Sequence, residues 1–149
     1  MGLAIQKATE AAQNGEVPAG AVIFAPTGEI WAQEGNQVIT LNDPTAHAEI
    51  LAIRSAAKAM GNYRLTGLIM ATTLEPCPMC LMAAIHARLA TIYYGAPEPK
   101  WGAAGSLIDL QSLSGLNHRL QLVGGVLAEP CARLIQDFFR ARRATNMDH

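Results

Sequence analysis

Charge, aromatic side chains and cysteine are all scarce in this chain of 149 residues. Charged residues make up 15% of it and the net charge is −1, so charge alone does not indicate a nucleic-acid partner. No apolar run approaches the roughly 18 residues that a membrane helix requires. No basic start leads into an apolar segment and a cleavage site either, so the sequence predicts neither a membrane span nor a secretory signal.

The use of cysteine indicates a reducing compartment. The chain has 3 cysteines, which cannot all pair with one another, and Cys77 and Cys80 form a Cys-x-x-Cys motif. This pattern is typical of a cytoplasmic protein whose thiolates are kept for a metal ion. Cys131 stands apart from the motif at a predicted helix start, and we interpret it as a small buried apolar residue.

Apolar residues make up half of the chain, which is enough for one globular domain over residues 1–149. Periodicity and turn residues predict alternating helices and strands. The expected helices are 2–13, a run that follows Thr45 and ends by Gly61, 78–87 and 129–143, and the expected strands are 19–25, 30–33, 68–72, 91–94 and 120–123. This order predicts an α/β fold, a three-layer sandwich whose mixed central sheet of about five strands has helices on both faces.

Two short motifs carry the chemistry of the chain. The run Thr45-Ala46-His47-Ala48-Glu49 opens one predicted helix, and the run Glu75-Pro76-Cys77-Pro78-Met79-Cys80 opens another. His47, Cys77 and Cys80 are the soft ligands that zinc prefers, and helix N-termini favour thiolates. Three protein ligands leave the fourth zinc position open, as in catalytic sites. Glu49 is then a carboxylate free to move protons beside the metal.

Each motif alone has more ordinary interpretations. A single His-x-Glu is usually an unremarkable pair, and a Cys-x-x-Cys is also found in redox pairs, structural zinc sites and buried thiols. A structural zinc site lacks a second cysteine pair here, and redox proteins of the thioredoxin type place the motif earlier in the chain. His86 is interpreted as structural and His118 as a surface-loop residue. The arginines near the C-terminus suit either a solvated helix end or a phosphate-binding patch.

Together, the His-Ala-Glu and Pro-Cys-x-x-Cys motifs resemble the zinc-dependent cytidine/deoxycytidylate deaminase superfamily. More narrowly, the chain resembles the bacterial tRNA-specific adenosine deaminases over nearly its whole length. The motifs that carry this resemblance are Glu16-Val17-Pro18, Asn36, Asp43-Pro44-Thr45 running into the histidine motif, Asn62-Tyr63-Arg64-Leu65, Thr73-Leu74 before Glu75, Lys100, Gly102 to Ser106, Asn117-His118-Arg119 and Phe138-Phe139-Arg140 with Arg142-Arg143.

The resemblance implies a homodimer that binds one Zn2+ per chain and converts the wobble adenosine of an arginine tRNA with an ACG anticodon to inosine. Its substrate is then a tRNA anticodon stem-loop, whose unpaired bases can be splayed out. Glu49 would pass protons from water to the ring nitrogen and to the departing amine. The residues implied in substrate binding are Asn36, Ala48, Glu98, Lys100, Asn117, Arg140, Arg142 and Arg143.

The chain departs from the usual pattern of the family at Gly35 and in the loop Glu98-Pro99-Lys100-Trp101. These differences concern substrate preference and leave the zinc chemistry intact. Three rival functions remain open on the sequence. They are a free-base or nucleoside deaminase with the same zinc chemistry, a non-catalytic RNA-binding subunit, which would have no use for Glu49, and an engineered deaminase that acts on DNA.

Overall fold

One five-stranded mixed sheet forms the middle layer of the protein in a computed structural model that describes residues 1–147. The elements in chain order are α1 (Gly2–Gln13), β1 (Gly20–Phe24), β2 (Ile30–Gly35), α2 (Ala48–Met60), β3 (Ile69–Leu74), α3 (Pro78–His86), β4 (Thr91–Ala96), a 3-10 turn (Leu110–Ser112), β5 (Gln121–Val123) and α4 (Ala128–Met147).

The strand order across the sheet is β2-β1-β3-β4-β5. The strand β1 runs antiparallel to both β2 and β3, whereas β3, β4 and β5 are parallel to one another. In the centre of the sheet, Met70 is paired with Ile23 on one side and with Ile92 on the other, and all three side chains are fully buried. The predicted sheet of about five strands is confirmed.

The helices cover both faces of the sheet. On one face, α1 packs on β1 and β2, α4 packs on β4, and the two helices contact each other. The helix α2 packs on β1 and β2 and also contacts α3. Apolar side chains of α2 and α3, among them Leu81 and Ile85, join the core formed by the central strands. The three-layer α/β sandwich is therefore confirmed as well.

Two helix boundaries differ from the prediction by more than one residue. His47 precedes α2 as its N-cap in extended conformation, with φ −68° and ψ 151°, rather than lying within the first turn. The reason is local, because the Asp43 carboxylate accepts hydrogen bonds from both the backbone N–H and the hydroxyl of Thr45 and holds this segment in a turn. At the other end of the chain, α4 continues past Arg143 to Met147, since no Gly or Pro interrupts it.

No helix among residues 1–147 combines the length and the apolar character that crossing a lipid bilayer would require.

Candidate metal centre and active site

The two motifs meet where the parallel strands β3 and β4 end, which is the usual ligand position in open α/β sheets. His47 is the N-cap of α2 and Cys77 is the N-cap of α3, and Cys80 lies in the first turn of α3. Pro78 suits the first helical position after Cys77 because its missing N–H needs no partner there. The N-termini of two helices therefore point at the same place and favour negative charge on the ligands.

The ligand atoms of His47, Cys77 and Cys80 lie within 4.8 Å of one another. The Nδ1 atom of His47 is 3.7 Å from the Cys77 sulfur and 3.5 Å from the Cys80 sulfur. A tetrahedral zinc ion, bonded to nitrogen at ~2.0 Å and to sulfur at ~2.3 Å, requires a nitrogen–sulfur separation of roughly 3.5 Å. The three side chains therefore fit zinc in both their chemistry and their spacing.

The three candidate zinc ligands shift one another's pKa values. The hydrogen bond from the Cys80 thiol lowers the pKa of Cys77 to about 4, although burial opposes the shift. That same hydrogen bond and burial raise the pKa of Cys80. The hydrogen bond to Cys77 raises the pKa of His47, also against burial. Because zinc takes thiolates and a neutral imidazole, metal binding here must displace the protons of Cys80 and of any charged His47.

Glu49 lies beside this cluster and is 5% exposed. Its Oε2 atom accepts a hydrogen bond from the Cys80 thiol at 3.1 Å, and its Oε1 atom accepts one from the hydroxyl of Thr72 at 2.8 Å. Thr72, in the middle of β3, is fully buried, and sequence reasoning did not identify it. A buried carboxylate held on one oxygen by a hydroxyl, with the other oxygen toward the metal side, is suited to proton transfer.

A pocket of about 790 Å³ opens over the cluster. His47, Glu49 and Cys77 form part of its lining. The loop between β2 and α2 contributes Asn36 and Ile39, and the loop that follows β4 contributes Glu98 and Trp101. The remaining lining residues are Glu16, Val17, Ala19, Val38, Pro44, Leu74, Glu75, Pro78 and Met79. The volume is within the usual range for sites that bind small molecules or single bases.

Two buried carboxylates hold the two loops that border this pocket. Glu16, which is 1% exposed, accepts hydrogen bonds from the backbone N–H of Ile39 at 2.9 Å and from the backbone N–H and hydroxyl of Thr40 at 3.0 and 3.1 Å. Burial by itself would raise the pKa of Glu16, but these hydrogen bonds outweigh it and lower the pKa. Glu16 therefore anchors the loop between β2 and α2 in its ionised form.

Glu75 anchors the loop that follows β4 in the same way. Its carboxylate accepts hydrogen bonds from the backbone N–H groups of Glu98, Ala104 and Ser106 at 3.2, 2.9 and 3.1 Å, and from the Ser106 hydroxyl. Burial opposes ionisation of Glu75, yet these donors lower its pKa. Gly102 lies so close that a Cβ atom there would stand 2.2 Å from the carboxylate, so the anchor requires glycine at this position.

The predicted substrate-binding residues fall in several places. Asn36 is buried at the pocket, and Glu98 lines it while accepting a hydrogen bond from the backbone N–H of Lys100. Ala48 is fully buried next to His47 and does not line the pocket. Lys100 is exposed on the loop beside the pocket.

The other predicted residues lie outside the pocket. The carbonyl of Asn117 accepts a hydrogen bond from Arg88, which follows α3, so Asn117 is near the end of that helix opposite to Cys77. The 9 residues of α3 separate the two ends by roughly 13 Å. Arg140, Arg142 and Arg143 are exposed on α4, and Arg142 is near enough to Glu16 to contribute to its lowered pKa.

Cys131, His118 and His86 lie outside the metal centre. Cys131 is 1% exposed and lies on the face of α4 that packs on β4, which confirms the interpretation as a buried apolar residue. Its sulfur is so close to Gly95 that a Cβ atom at that position would be only 2.4 Å away. His118 bonds through Nε2 to the Leu89 carbonyl at 2.8 Å, and His86 is exposed at the end of α3.

A His/Cys/Cys set beside a buried glutamate, on a three-layer α/β/α fold, defines a zinc-dependent hydrolytic deaminase as the class of protein. Residues 1–96 match the family model of the cytidine and deoxycytidylate deaminase zinc-binding region. A tRNA-specific adenosine deaminase of Bacillus subtilis is 43% identical over 94% of this chain and 86% of that protein.

Two solved structures extend the comparison. One, from a study of A-to-I editing by tRNA:A34 deaminases at the wobble position of transfer RNA, has a TM-score of 0.87 and 41% identity, and the match covers 90% of this chain and 96% of that one. A guanine deaminase from Bacillus subtilis has a TM-score of 0.62 and 36% identity, with 95% of this chain and 89% of that one covered. The chain belongs to the cytidine and deoxycytidylate deaminase family, in the branch of the tRNA-specific adenosine deaminases, and its cofactor is zinc.

Proposed function

We propose that the protein deaminates adenosine to inosine at the wobble position of a tRNA anticodon and releases ammonia, with an arginine tRNA bearing an ACG anticodon as its substrate. The observation that carries this proposal is the buried Glu49 carboxylate beside the His47, Cys77 and Cys80 cluster at the base of an open pocket. The similarity to tRNA-specific adenosine deaminases supports the choice of substrate.

In this proposal, His47, Cys77 and Cys80 hold the metal. Zinc held by these residues would lower the pKa of a bound water toward ~7 and so supply the nucleophile. Glu49 takes one proton from the attacking water and gives it to N1, the ring nitrogen next to C6 of adenine, while the water oxygen forms a bond to C6. Glu49 then takes the second proton from that oxygen and gives it to the exocyclic amine, the C6–N bond breaks, ammonia leaves, and the C6 carbonyl of inosine forms. Thr72 keeps one carboxylate oxygen of Glu49 occupied, so the other oxygen is the one available for these transfers.

The substrate would enter as a base extruded from the unpaired anticodon loop. Asn36, buried in the pocket wall, offers an amide donor and acceptor to the edge of the base, while Ala48 fixes the backbone next to His47. Glu98 and Lys100 belong to the loop on the other side of the pocket, where they would contact the nucleotide.

More distant parts of the tRNA would meet the helix α4 and the far end of α3. The exposed guanidinium groups of Arg140, Arg142 and Arg143 are suited to phosphate contacts, which position a nucleic acid without reading its sequence. Asn117 is separated from the metal site by the length of α3, so a contact with it requires either a distant part of the same tRNA or a second copy of the chain.

The active form in this proposal is a homodimer in the cytoplasm. Leu81, Ala84 and Ile85 of α3 face the core of the protomer, but Met79 and Met82 on the same helix are only half-buried. Met82 packs at the edge of the core and Met79 also lines the pocket, so a second copy could cover only the parts of these two side chains that are still exposed. Sedimentation equilibrium of the zinc-loaded protein is expected to give twice the mass of the chain, and a monomer at micromolar concentration would contradict the dimer.

A second candidate function is deamination of a free base or nucleoside. It is favoured by the largely apolar pocket, which would also enclose a single purine, and by the similarity to a guanine deaminase. A small-molecule enzyme would have no use for the arginines of α4 or for an exposed lysine and tryptophan beside the pocket. The second candidate therefore explains fewer of the observed features.

The deciding experiment offers zinc-loaded protein an arginine tRNA with an ACG anticodon and, separately, adenosine, cytidine and guanine. We expect inosine at the wobble position, detected by sequencing, and ammonia release only with the tRNA. Ammonia from a free base or nucleoside alone would keep the zinc chemistry and overturn the tRNA substrate.

The role of Glu49 is tested by Glu49→Gln, which keeps the shape of the side chain and removes the proton acceptor. We expect full zinc content by atomic absorption and a turnover rate lower by at least about 10²-fold, the usual contribution of a general acid–base group. Retained turnover would remove Glu49 from the mechanism, whereas lost zinc would assign it a structural part in the metal site.

A further inference from the structure

We propose that Trp101 is a stacking residue for the base that flanks the reacting adenosine, an inference that rests on the proposed tRNA substrate. The side chain of Trp101 lines the pocket and is 65% exposed. Tryptophan is highly buried on average, so an indole that is exposed to solvent at the rim of an active site indicates a ligand-binding surface.

The backbone around Trp101 is fixed before any substrate arrives. Its two neighbours both donate to Glu98, since the N–H of Lys100 bonds to the carboxylate at 3.0 Å and the N–H of Gly102 bonds to the carbonyl at 2.8 Å. The next residue, Ala103, donates to the carbonyl of Pro76 at 2.8 Å, and Glu75 holds the loop from beneath. Because this backbone is already fixed, only the side-chain torsions of Trp101 have to be ordered when a ligand binds.

The chemistry of the rim suits single-stranded RNA. Unpaired bases stack on aromatic side chains whatever their sequence, because every base has a π-face. The exposed Lys100 next to Trp101 provides a cation for the phosphate that joins two nucleotides. Trp101 and Lys100 therefore offer the two contacts that a nucleotide outside the pocket needs, one for its base and one for its backbone.

The reacting base and the flanking base would occupy different parts of the pocket. The reacting base must lie at the base of the pocket beside Glu49 and the metal ligands, whereas Trp101 is largely exposed at its rim. A free base or a nucleoside has no neighbouring nucleotide and would leave the indole open. Stacking on Trp101 is thus expected only for a polynucleotide substrate.

Steady-state kinetics on an anticodon stem-loop RNA test this role. Trp101→Ala is expected to raise KM by about 5- to 150-fold, the loss measured when one stacking aromatic is removed, and to leave kcat within about twofold. Trp101→Phe should keep most of the wild-type KM because it retains a π-face. Ile30→Ala is the control for loss of an exposed apolar side chain, since Ile30 is 42% exposed and lies at the end of β2 opposite to Asn36.

Substrates with an abasic site identify the stacked nucleotide. If the nucleotide on the 5′ or the 3′ side of the adenosine stacks on Trp101, its abasic form raises KM for the wild-type protein but causes no further rise for Trp101→Ala. Additive effects at both positions would overturn the proposal, as would a Trp101→Ala variant with unchanged KM.

Fluorescence provides a readout that does not depend on turnover. The chain has 2 tryptophans, so in the variant Trp31→Phe the tryptophan emission comes from Trp101 alone. Binding of the stem-loop to this variant, in the Glu49→Gln background, is expected to quench the emission. Absence of quenching despite measured RNA binding would contradict stacking, and a change of oligomeric state in Trp101→Ala would assign the indole to an interface between two copies instead. Failure of the proposed function is distinguishable, because the wild-type protein would then neither bind nor deaminate the stem-loop.

Discussion

Thr72 shows how one hydroxyl in a β-strand takes part in the chemistry of a distant helix. It lies in the centre of β3, is fully buried, and donates its hydrogen bond to the Glu49 carboxylate across 2.8 Å. Since hydrogen bonds to charged groups are the stronger ones, this contact fixes the orientation of a side chain that would otherwise rotate. We therefore regard Thr72 as the positioning residue of Glu49.

Replacing Thr72 by Val removes the hydroxyl and conserves the shape of the side chain. A hydrogen bond to a charged group contributes about 1.5–3 kcal/mol, so we expect kcat to fall by about tenfold or more while zinc content is unchanged. Thr72→Ser restores the hydroxyl and is expected to recover most of the rate. Single-turnover kinetics make the measurement, and equal loss in the Val and Ser variants would point to packing rather than to the hydrogen bond.

The three metal ligands are also tested at the level of single residues. Cys77→Ser and Cys80→Ser are each expected to lower the affinity for zinc by more than about 100-fold. Removing a residue that merely orients a ligand already lowers metal affinity by roughly 10- to 100-fold, and loss of a ligand should cost more. Cys131→Ala is the control, because Cys131 is buried on the face of α4 that packs on β4 and is not part of the cluster. Competition with a chromophoric chelator gives the affinities, and equal zinc binding in all three variants would rule out the proposed ligand set.

At the scale of elements, buried carboxylates organise the two loops that border the pocket, and Ala103 adds an apolar contact between the second loop and the core. Glu16 holds the segment around Ile39 and Thr40, and Glu75 holds the segment from Glu98 to Ser106. Both loops contain exposed apolar side chains, so packing alone would not fix them. The walls of the pocket thus depend on ionised side chains beneath the loops.

This arrangement predicts an acid-sensitive stability. Both carboxyl groups have pKa values below the ordinary 4.5, so the unfolded chain binds more protons than the folded one as the pH falls through this range. Their contribution is therefore complete above about pH 4.5 and is lost on further acidification. Thermal unfolding from pH 6 to pH 3 is expected to show a falling Tm in the lower part of this range.

Glu75→Gln isolates one of the two anchors. The amide keeps one acceptor but turns an N–H group toward backbone donors, so we expect a loss of about 1–3 kcal/mol and a smaller dependence of Tm on pH below 4.5. Hydrogen exchange of the amides of Ala104 and Ser106 should become faster in the variant. Unchanged protection of these amides would show that other contacts hold the loop.

At the scale of the whole molecule, charge is arranged unevenly although the net charge is −1. The arginines at the end of α4 are exposed, and Arg142 lies within electrostatic reach of Glu16, which lines the pocket. The C-terminal helix therefore places positive charge near the entrance to the active site. If the substrate is a tRNA, as proposed, these arginines are available to phosphates outside the pocket.

Salt dependence tests this arrangement. If Arg140, Arg142 and Arg143 each neutralise a phosphate, replacing all three by Ala should reduce the slope of log K against log salt concentration by about 2 to 3. Arg133→Ala is the control from the same helix, because Arg133 lies two turns before Arg140 and its pair with Glu129, at 2.8 Å, is shorter than the 3.4 Å pair of Arg140 with Asp137. A triple variant with the wild-type slope would remove the arginines from the RNA surface.

Much of the fold and the metal centre could be predicted from the sequence because their signals are local. Helix periodicity, turn residues and Pro78 mark elements within a few residues of their positions, and the ligands of zinc are recognised by residue type and spacing. The exact start of α2 was missed, since it depends on the Asp43 carboxylate, whose hydrogen bonds hold the preceding turn and leave His47 as the N-cap.

The sequence by itself predicted the two zinc-binding motifs, Glu49 as the proton-transferring residue and the succession of strands and helices along the chain, because each motif and each element is recognised from residues close together in sequence. Only the tertiary structure decided which buried polar residues serve the site. Thr72 is 23 residues from Glu49, and Glu75 lies 29 residues before Ala104, so no local pattern links these pairs. Their roles arise where strands and loops distant in sequence meet at one edge of the sheet, and a buried carboxylate there must find its hydrogen-bond donors wherever the fold provides them.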